Sequence, residues 1–471
     1  MVVGELTETT DLLVLGGGPG GYVAALKAAD LGIQTTIVDE NPVLGGVCLR
    51  VGCIPSKALL HVAHLIDAAR EAGGKFGVTF AEPKIDLDKL RAFKQGVVER
   101  LCGGINTLAT KRDVRVVQGR GRFEDSKTVR VENSEVARIK FKNCIIATGS
   151  RPKRLPARLI PPDACLDSSG ALELEDIPKS LLVIGGGYIG LELGQVYAGL
   201  GSKVTVIEML DRILPGADED LVRPLAAKLK KQFDAIHTSA SIEGAQPTSR
   251  GVEVMFTKGG EKHKLTFDRV LQSVGRAPNT DNIGIEHTKA RVSDKGFIEV
   301  NEQRQTADKR LWAIGDVAGE PMLAHKASRE AIVAAEAIAG HNVAFDPRAI
   351  PAVVYTSPEL AWCGVTEAEA KARSLDVKVG KFPWGASGRA IAMGKPEGIT
   401  KVIADARTRR VLGVGICGEH AGDLIAEAVL AIEMGAEADD LAMTIHPHPA
   451  TSETIMEAAE SVFGKAIHAA R

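Results

Sequence analysis

The chain of 471 residues reads as an α/β protein: two Rossmann-like dinucleotide-binding folds in series, then an α+β domain. Three observations predict this. A short apolar run ends in a glycine-rich turn that opens a helix at Gly16-Gly17-Gly18-Pro19-Gly20-Gly21, and does so again at Gly185-Gly186-Gly187-Tyr188-Ile189-Gly190. An acidic residue closes the second strand of each unit, and the offsets from Gly16 to Gly185 and from Asp39 to Glu208 are both 169 residues, so the whole unit repeats in register. Beyond Ala349 the glycine-rich turns stop, and strands alternate with helices.

Taken in order, Asp11 to Leu15 is an apolar strand, and the residues after Gly21 recur at helical spacing until Gly32 ends them. The β-branched run Gln34 to Val38 then leads to Asp39, completing a βαβ unit. Cys144-Ile145-Ile146-Ala147-Thr148-Gly149-Ser150 is a further strand capped by glycine, followed by a crossing segment at Arg151 to Pro156. The second unit comprises the strand Leu181 to Ile184, a helix to about Leu200, the strand Val204 to Ile207, and a matching end at Val270 to Arg276 that contains Gly275. Leu311 to Asp316 is one more strand-like segment, before a helix over Ala324 to Ala339. In the C-terminal part, Ile399 to Ala404 and Val411 to Ile416 read as strands. These breaks divide the chain into residues 1–155, 156–283, 284–350 and 351–471.

Such a length exceeds what one hydrophobic core supports. Lys and Arg (58) nearly balance Asp and Glu (60), so no whole-chain field draws nucleic acid or an anionic membrane, and neither is an expected partner. Seven cysteines at irregular spacing fit a reducing compartment, which makes a cytoplasmic location the expectation. Met1 to Asp11 shows no leader pattern, although a processed mitochondrial form would read the same way, and no run is expected to be long enough to span a bilayer.

In each turn the first glycine (Gly16, Gly185) permits the bend, the second (Gly18, Gly187) lets backbone approach a pyrophosphate, and the third (Gly21, Gly190) lets helix and strand pack closely. Asp39 and Glu208 stand where a carboxylate accepts hydrogen bonds from ribose hydroxyls. A carboxylate also repels a ribose 2′-phosphate, so the second site is expected to take NAD; Arg212 is the one nearby base that could swing towards a phosphate.

Cys48 and Cys53 lie five positions apart directly after the first unit. A structural disulfide closing so short a loop stabilises by only roughly 2 kcal/mol, and a closed zinc site lacks its remaining ligands, since the other cysteines are scattered. A redox dithiol beside a nucleotide fold is the reading that remains. A flavin in the first site suits it, standing between nicotinamide and dithiol and passing electrons in pairs. Near the C-terminus, Ile445-His446-Pro447-His448-Pro449-Ala450-Thr451-Ser452-Glu453 concentrates acid–base groups. Thiol–disulfide exchange needs a base; His448 with Glu453 as orienting carboxylate fits, and His446 reads as structural.

On these motifs, with Gly45 to Lys57, Ala313-Ile314-Gly315-Asp316-Val317 and Met322-Leu323-Ala324-His325-Lys326-Ala327, the chain resembles the flavin-dependent pyridine nucleotide–disulfide oxidoreductases over its whole length. The resemblance implies a glutathione-reductase-like fold: an FAD-binding domain over 1–155, an NAD-binding domain over 156–283, a central domain over 284–350 completing the FAD-binding fold, and an interface domain over 351–471 that forms a homodimer. It implies FAD and NAD as cofactors, with a Cys48–Cys53 redox disulfide in which Cys53 faces the flavin and Cys48 exchanges with substrate. His448 and Glu453 would serve the partner subunit's dithiol. Lys57 paired with Glu192 would lie near the flavin N5, and Asp316 would hold the ribityl chain. Thr148, Gly149, Ser150, Met322 and Ala324 would line the FAD site, and Gly275 the nicotinamide site.

The implied reaction is oxidation of protein-bound dihydrolipoamide by NAD, within 2-oxo acid dehydrogenase complexes or the glycine cleavage system, with lipoyl domains and the acyltransferase core as partners. A glutathione reductase would show basic residues near Glu208, a mercuric reductase a C-terminal cysteine pair, and a soluble transhydrogenase would lack one paired cysteine. A second reading makes the chain chiefly a docking subunit. Ala450 stands where the family usually has Thr, and Pro447 is uncommon there, so altered local packing is expected with the His-to-Glu spacing intact; a cis His448–Pro449 peptide is also expected.

Overall fold

A computed structural model describes residues 6–468; the leader-free start read at Met1–Asp11 falls partly outside them. The chain divides into two compact units, each assembled from three separate segments: residues 1–58, 87–153 and 275–346 in the first, residues 59–86, 154–274 and 347–471 in the second.

In the first unit a seven-stranded sheet runs in the order Arg115–Gln118, Thr35–Asp39, Thr7–Leu15, Arg138–Ile146, Thr128–Glu132, Arg120–Asp125, with Leu311–Ala313 also pairing to Arg138–Ile146. Leu12 and Val14 pack with Ala24, Ala25 and Ala28 of the helix Pro19–Asp30, whereas Leu13 and Leu15 pack with Val38, Phe123 and Ile139 on the other face. A strand covered on both faces has no polar alternation, which is why this run reads as continuously apolar. Each such side chain contributes about 1.5–3 kcal/mol by leaving water. Small residues on the buried side of that helix let it approach its neighbours: a Cβ on Gly20 would lie 3.2 Å from Ile314 Cδ1 and 3.4 Å from Ala327 Cβ.

The second unit holds a four-stranded parallel sheet, in the order Ala235–His237, Lys203–Ile207, Ser180–Ile184, Arg269–Gln272, with the helix Tyr188–Leu200 after its first strand in sequence. A three-stranded antiparallel sheet (Ala240–Thr248, Gly251–Lys258, Glu261–Phe267) adjoins it in sequence. The C-terminal part is a five-stranded antiparallel sheet, ordered Ala352–Val354, Glu359–Gly364, Val411–Gly418, Ile399–Asp405, Val377–Pro383, with the helices Ala421–Met434 and Glu453–Val462. It is the α+β domain the sequence predicts. Buried Trp384 donates its indole N–H to Thr400 Oγ1 at 2.9 Å, and Thr400 in turn bonds Thr454 Oγ1 at 2.8 Å. This chain fixes the start of the helix that carries Glu453.

Two elements sit at the crossings. Ser150–Pro152 pairs antiparallel with Arg276–Pro278, so the strand leaving the first nucleotide fold and the strand returning to it form a two-stranded ribbon. The helix Cys53–Phe76 begins in the first unit and ends in the second. Together with the helix Gly46–Val51 it makes a stretch, 46–76, long and apolar enough by length and composition alone to cross a bilayer, which corrects the expectation that no run is that long. The stretch is broken at Gly52, with φ −144° and ψ −112°, and it carries the two cysteines at the break.

Candidate redox site

The two glycine turns have the same internal geometry. Gly17 donates its N–H to Asp39 Oδ2 at 2.6 Å, and Gly186, its counterpart in the repeat, donates to Glu208 Oε2 at 2.6 Å. The other carboxylate oxygens accept from Asn41 N at 2.8 Å and Leu210 N at 2.7 Å respectively. A carboxylate has about four acceptor positions, so each retains capacity for a ribose hydroxyl. Gly16 and Gly185 adopt φ of +102° and +105°, a region that favours glycine. A Cβ on Gly21 or Gly190 would collide with the carbonyl oxygen of Gly16 or Gly185. Around Gly187 nothing lies within 4 Å of where a Cβ would be. Bare backbone at a helix start with an acidic strand end fits the pyrophosphate and ribose of a dinucleotide in both places. Arg212 is turned to the Pro215 carbonyl, at 3.0 Å.

Cys48 lies in the helix Gly46–Val51, and Cys53 is the first residue of the 24-residue helix Cys53–Phe76. The loop ahead of them is held down by Gly45 N–H on the Gly17 carbonyl at 2.8 Å and by Leu44 N–H on Asn106 Oδ1 at 3.2 Å. No disulfide joins the two sulfurs; they are hydrogen-bonded thiols, the reduced member of a dithiol/disulfide couple. The hydrogen bond to Cys53 and then burial push the Cys48 thiol far above its ordinary value, against a smaller downward pull from the Lys57 ammonium. Cys48 thus lies against Cys53 in an apolar surround, and Cys53 stands at a helix N-terminus, a place that favours a thiolate. Tyr22 and Cys102, which the sequence reading does not single out, belong with Cys48 to the apolar cluster around this loop. Burial first, then the neighbouring Cys48 and Cys102, raise the Tyr22 hydroxyl above its ordinary value.

In the second unit His448 Nδ1 meets Glu453 Oε1 at 2.9 Å, while Glu453 Oε2 accepts the Ala450 N–H at 2.8 Å. Burial works to raise the Glu453 carboxyl, but the Ala450 amide and the His448 ring outweigh it and hold it below the usual value. The ring is 81% exposed with its inner nitrogen engaged, so Nε2 is presented outward. Ala450 reaches Glu453 through its backbone amide, a contact that does not depend on its side chain. The His448–Pro449 peptide is cis, as expected. His446 is occupied at both nitrogens, by Glu427 Oε1 at 2.9 Å and the Thr444 carbonyl at 2.8 Å, a structural arrangement.

The remaining residues expected from the resemblance fall as follows. Lys57 is half-buried in the first unit, one turn along the helix from Cys53; Glu192 is 2% exposed in the second, where its Oε1 accepts the Tyr355 N–H at 2.9 Å. In the first unit Thr148 Oγ1 donates to the Asn279 carbonyl at 2.8 Å, and the Ser150 hydroxyl donates to Asp316 Oδ2. Gly275 accepts the Lys153 N–H at 2.9 Å through its carbonyl. Met322 is half-buried, and Ala324 opens the helix Ala324–Ile338. Asp218, Asp220 and Glu367 approach one another closely enough to share a cation; their charge is met by Lys401, 1% exposed, at 2.6, 2.7 and 2.9 Å.

Residues 10–331 match the family described as pyridine nucleotide-disulphide oxidoreductase, and residues 350–459 match its dimerisation domain. The chain is 47% identical to a dihydrolipoyl dehydrogenase of Haemophilus influenzae over 96% of this chain and 94% of that one. It is 46% identical to that of Geobacillus stearothermophilus over 99% of each. Among solved structures it resembles the HOCl-induced flavoprotein disulfide reductase RclA of Escherichia coli, with a TM-score of 0.85 at 26% identity, covering 96% of this chain and 100% of that one. Paired nucleotide turns, a cysteine pair opening a long helix and a His–Glu pair in a dimerisation domain agree with these matches, and the chain belongs to the dihydrolipoyl dehydrogenase family of FAD- and NAD-using pyridine nucleotide–disulphide oxidoreductases.

Proposed function

We propose that this protein oxidises the dihydrolipoyl group of lipoyl domains with NAD, through Cys48, Cys53 and bound FAD. The observation that carries the reading is the asymmetric placing of the two cysteines: Cys48 lies in an apolar surround against Cys53, and Cys53 opens a helix. With the pair oxidised, His448 takes the proton of a substrate thiol, and the resulting thiolate attacks Cys48 Sγ. The Cys48–Cys53 bond breaks, a mixed disulfide forms on Cys48, and Cys53 leaves as the thiolate its helix end stabilises. As the second substrate thiol closes the lipoyl disulfide, its proton goes to the departing Cys48, so two electrons have moved to the protein dithiol with one proton on Cys48 and one on His448. Glu453 holds the ring so that Nε2 faces the substrate and stabilises the imidazolium. FAD, when bound, accepts this electron pair and delivers it as hydride to NAD.

In this reading the first turn with Asp39, Lys57, Thr148, Gly149, Ser150, Asp316, Met322 and Ala324 holds FAD, and the second with Glu208 and Gly275 holds NAD. His448 serves the dithiol of a second copy, which the dimerisation domain supports. The partners are lipoyl domains and the acyltransferase core of a 2-oxo acid dehydrogenase complex or the glycine cleavage system. The location in this reading is cytoplasmic, which suits seven cysteines at irregular spacing. Cys48→Ser is the test. The variant is expected to purify yellow and to lose dihydrolipoamide oxidation by on the order of 10³-fold or more. If it kept full turnover the dithiol route would be wrong, and a docking role would be measured instead by its binding to the acyltransferase core.

A further inference from the structure

Arg276 is the residue the assignments above leave unused although it touches the site. It stands on the strand Arg276–Pro278, the returning half of the crossing ribbon, and grips the outgoing half with both arms of its guanidinium: Nε donates to Ser150 Oγ at 2.7 Å and Nη2 to the Ser150 carbonyl at 2.7 Å. Ser150 is 3% exposed, and its hydroxyl proton goes to Asp316 Oδ2. The three groups form a directed relay, Arg276 to Ser150 to Asp316, across sequence separations of 126 and 166 residues. The backbone under Asp316 is already fixed: Gly315 N–H bonds Glu330 Oε2 at 2.6 Å, Glu330 is fully buried, and its other oxygen pairs with Lys326 at 3.0 Å. What such a turn leaves free is the rotation of the Asp316 side chain, and the Ser150 hydroxyl stops it.

We propose that Arg276 and Ser150 are positioning residues for FAD, holding the Asp316 carboxylate in the one orientation that meets the ribityl chain. This rests on the reading that Asp316 binds that chain. Ser150 then acts on the cofactor through Asp316, its hydroxyl being spent there, and Arg276 orients that hydroxyl by taking its lone pair. The guanidinium suits the task because its planar fork sets two N–H donors side by side for the hydroxyl and the carbonyl of one residue, a geometry an ammonium does not fix. A carboxylate held by preset donors reaches its ligand without paying to order its rotamer at binding.

The test follows FAD release from purified holoenzyme by flavin fluorescence, with circular dichroism reporting folding, in R276M, S150A, the double variant, R276K and D316N. Expected are about tenfold faster release in R276M and in S150A, a double variant no faster than S150A, an intermediate rate in R276K, and an unchanged folding transition. Equal and additive effects of R276M and S150A would sink the relay, since links of one chain do not add. D316N faster with R276M unchanged would overturn the proposal while leaving Asp316 as a flavin residue; D316N unchanged would overturn the Asp316 reading itself. A folding transition in R276M and R276K that falls in step with release would make the role general support of the ribbon, and would also overturn it.

Discussion

The two glycine turns are near-copies that differ in what lies over them. Their likeness extends beyond the strand ends: Gly45 N–H reaches the Gly17 carbonyl at 2.8 Å, and Leu214 N–H, displaced by the same offset, reaches the Gly186 carbonyl at 3.0 Å. There the copies part. In the first, Gly46 starts the cysteine helix directly against the turn, so that a Cβ on Gly46 would lie 2.5 Å from Gly18 Cα. In the second, the chain continues through Pro215 and Gly216 to the helix Glu219–Gln232, and Gly187 faces open space. A covered seat suits a group that stays with the protein, and an open one suits a ligand that arrives and leaves. On the proposed assignment one βαβ unit holds a resident nucleotide and the other a travelling one, and the two differ in the loop that follows the turn.

That contrast breaks most visibly at the third glycines. Gly21→Ala and Gly190→Ala both drive a methyl into a turn carbonyl, yet their consequences are expected to separate. The first should yield protein without visible flavin absorbance. The second should keep its flavin, reducible by dihydrolipoamide, and lose NAD reduction by about 100-fold or more. Spectra of the two purified variants decide it, and the reverse pattern would exchange the two seats. The next largest effect lies outside both turns. Glu453→Gln should lower turnover about 100-fold through the unoriented base, measured in steady state. Because the Ala450 amide and the His448 ring outweigh burial and leave the Glu453 carboxyl below its ordinary 4.5, this pairing stabilises the fold above that pH and loses its contribution as pH falls. Acid unfolding of the variant should therefore be shallower than that of the parent below about pH 4.5. The smallest effect sharpens the second seat: Glu208→Ala removes the repulsion of a 2′-phosphate, and the preference for NAD over NADP should fall about tenfold, ~1.4 kcal/mol. No change in the two kcat/KM ratios would show that Glu208 does not set the choice.

The turns and their acidic ends were legible because each is a local rule: bend, close approach and strand end lie within a 24-residue span, and repetition supplies an internal control. The strands read at Ile399 to Ala404 and Val411 to Ile416 appear as Ile399–Asp405 and Val411–Gly418 for the same reason. The cysteine pair was legible as a dithiol, but the unequal surroundings of the two sulfurs were not, since they depend on Tyr22, Cys102 and Leu49 gathering with Cys48. Arg276 was passed over although it follows Gly275 directly. Nothing near it in sequence announces Ser150 or Asp316, because the partners meet only after the chain has left the first fold and returned. Composition alone misjudged residues 46–76: a long apolar stretch carrying a glycine break and two thiols has the hydropathy of a span and the motif of a redox helix.

The interleaving of the two units bears on how the protein is made. The first unit is complete only when residues 275–346 have been added to residues 1–58 and 87–153, so Gly16 to Gly21 leave the ribosome some 250 or more residues before the strand that bears Arg276 and the turn that bears Asp316. Domains generally fold as units, N-terminal first, as the chain emerges; here the N-terminal unit cannot close first. No single truncation releases it intact, and the edge that Cys144 to Ile146 offers to Leu311–Ala313 must wait, unpaired, until most of the chain has been translated.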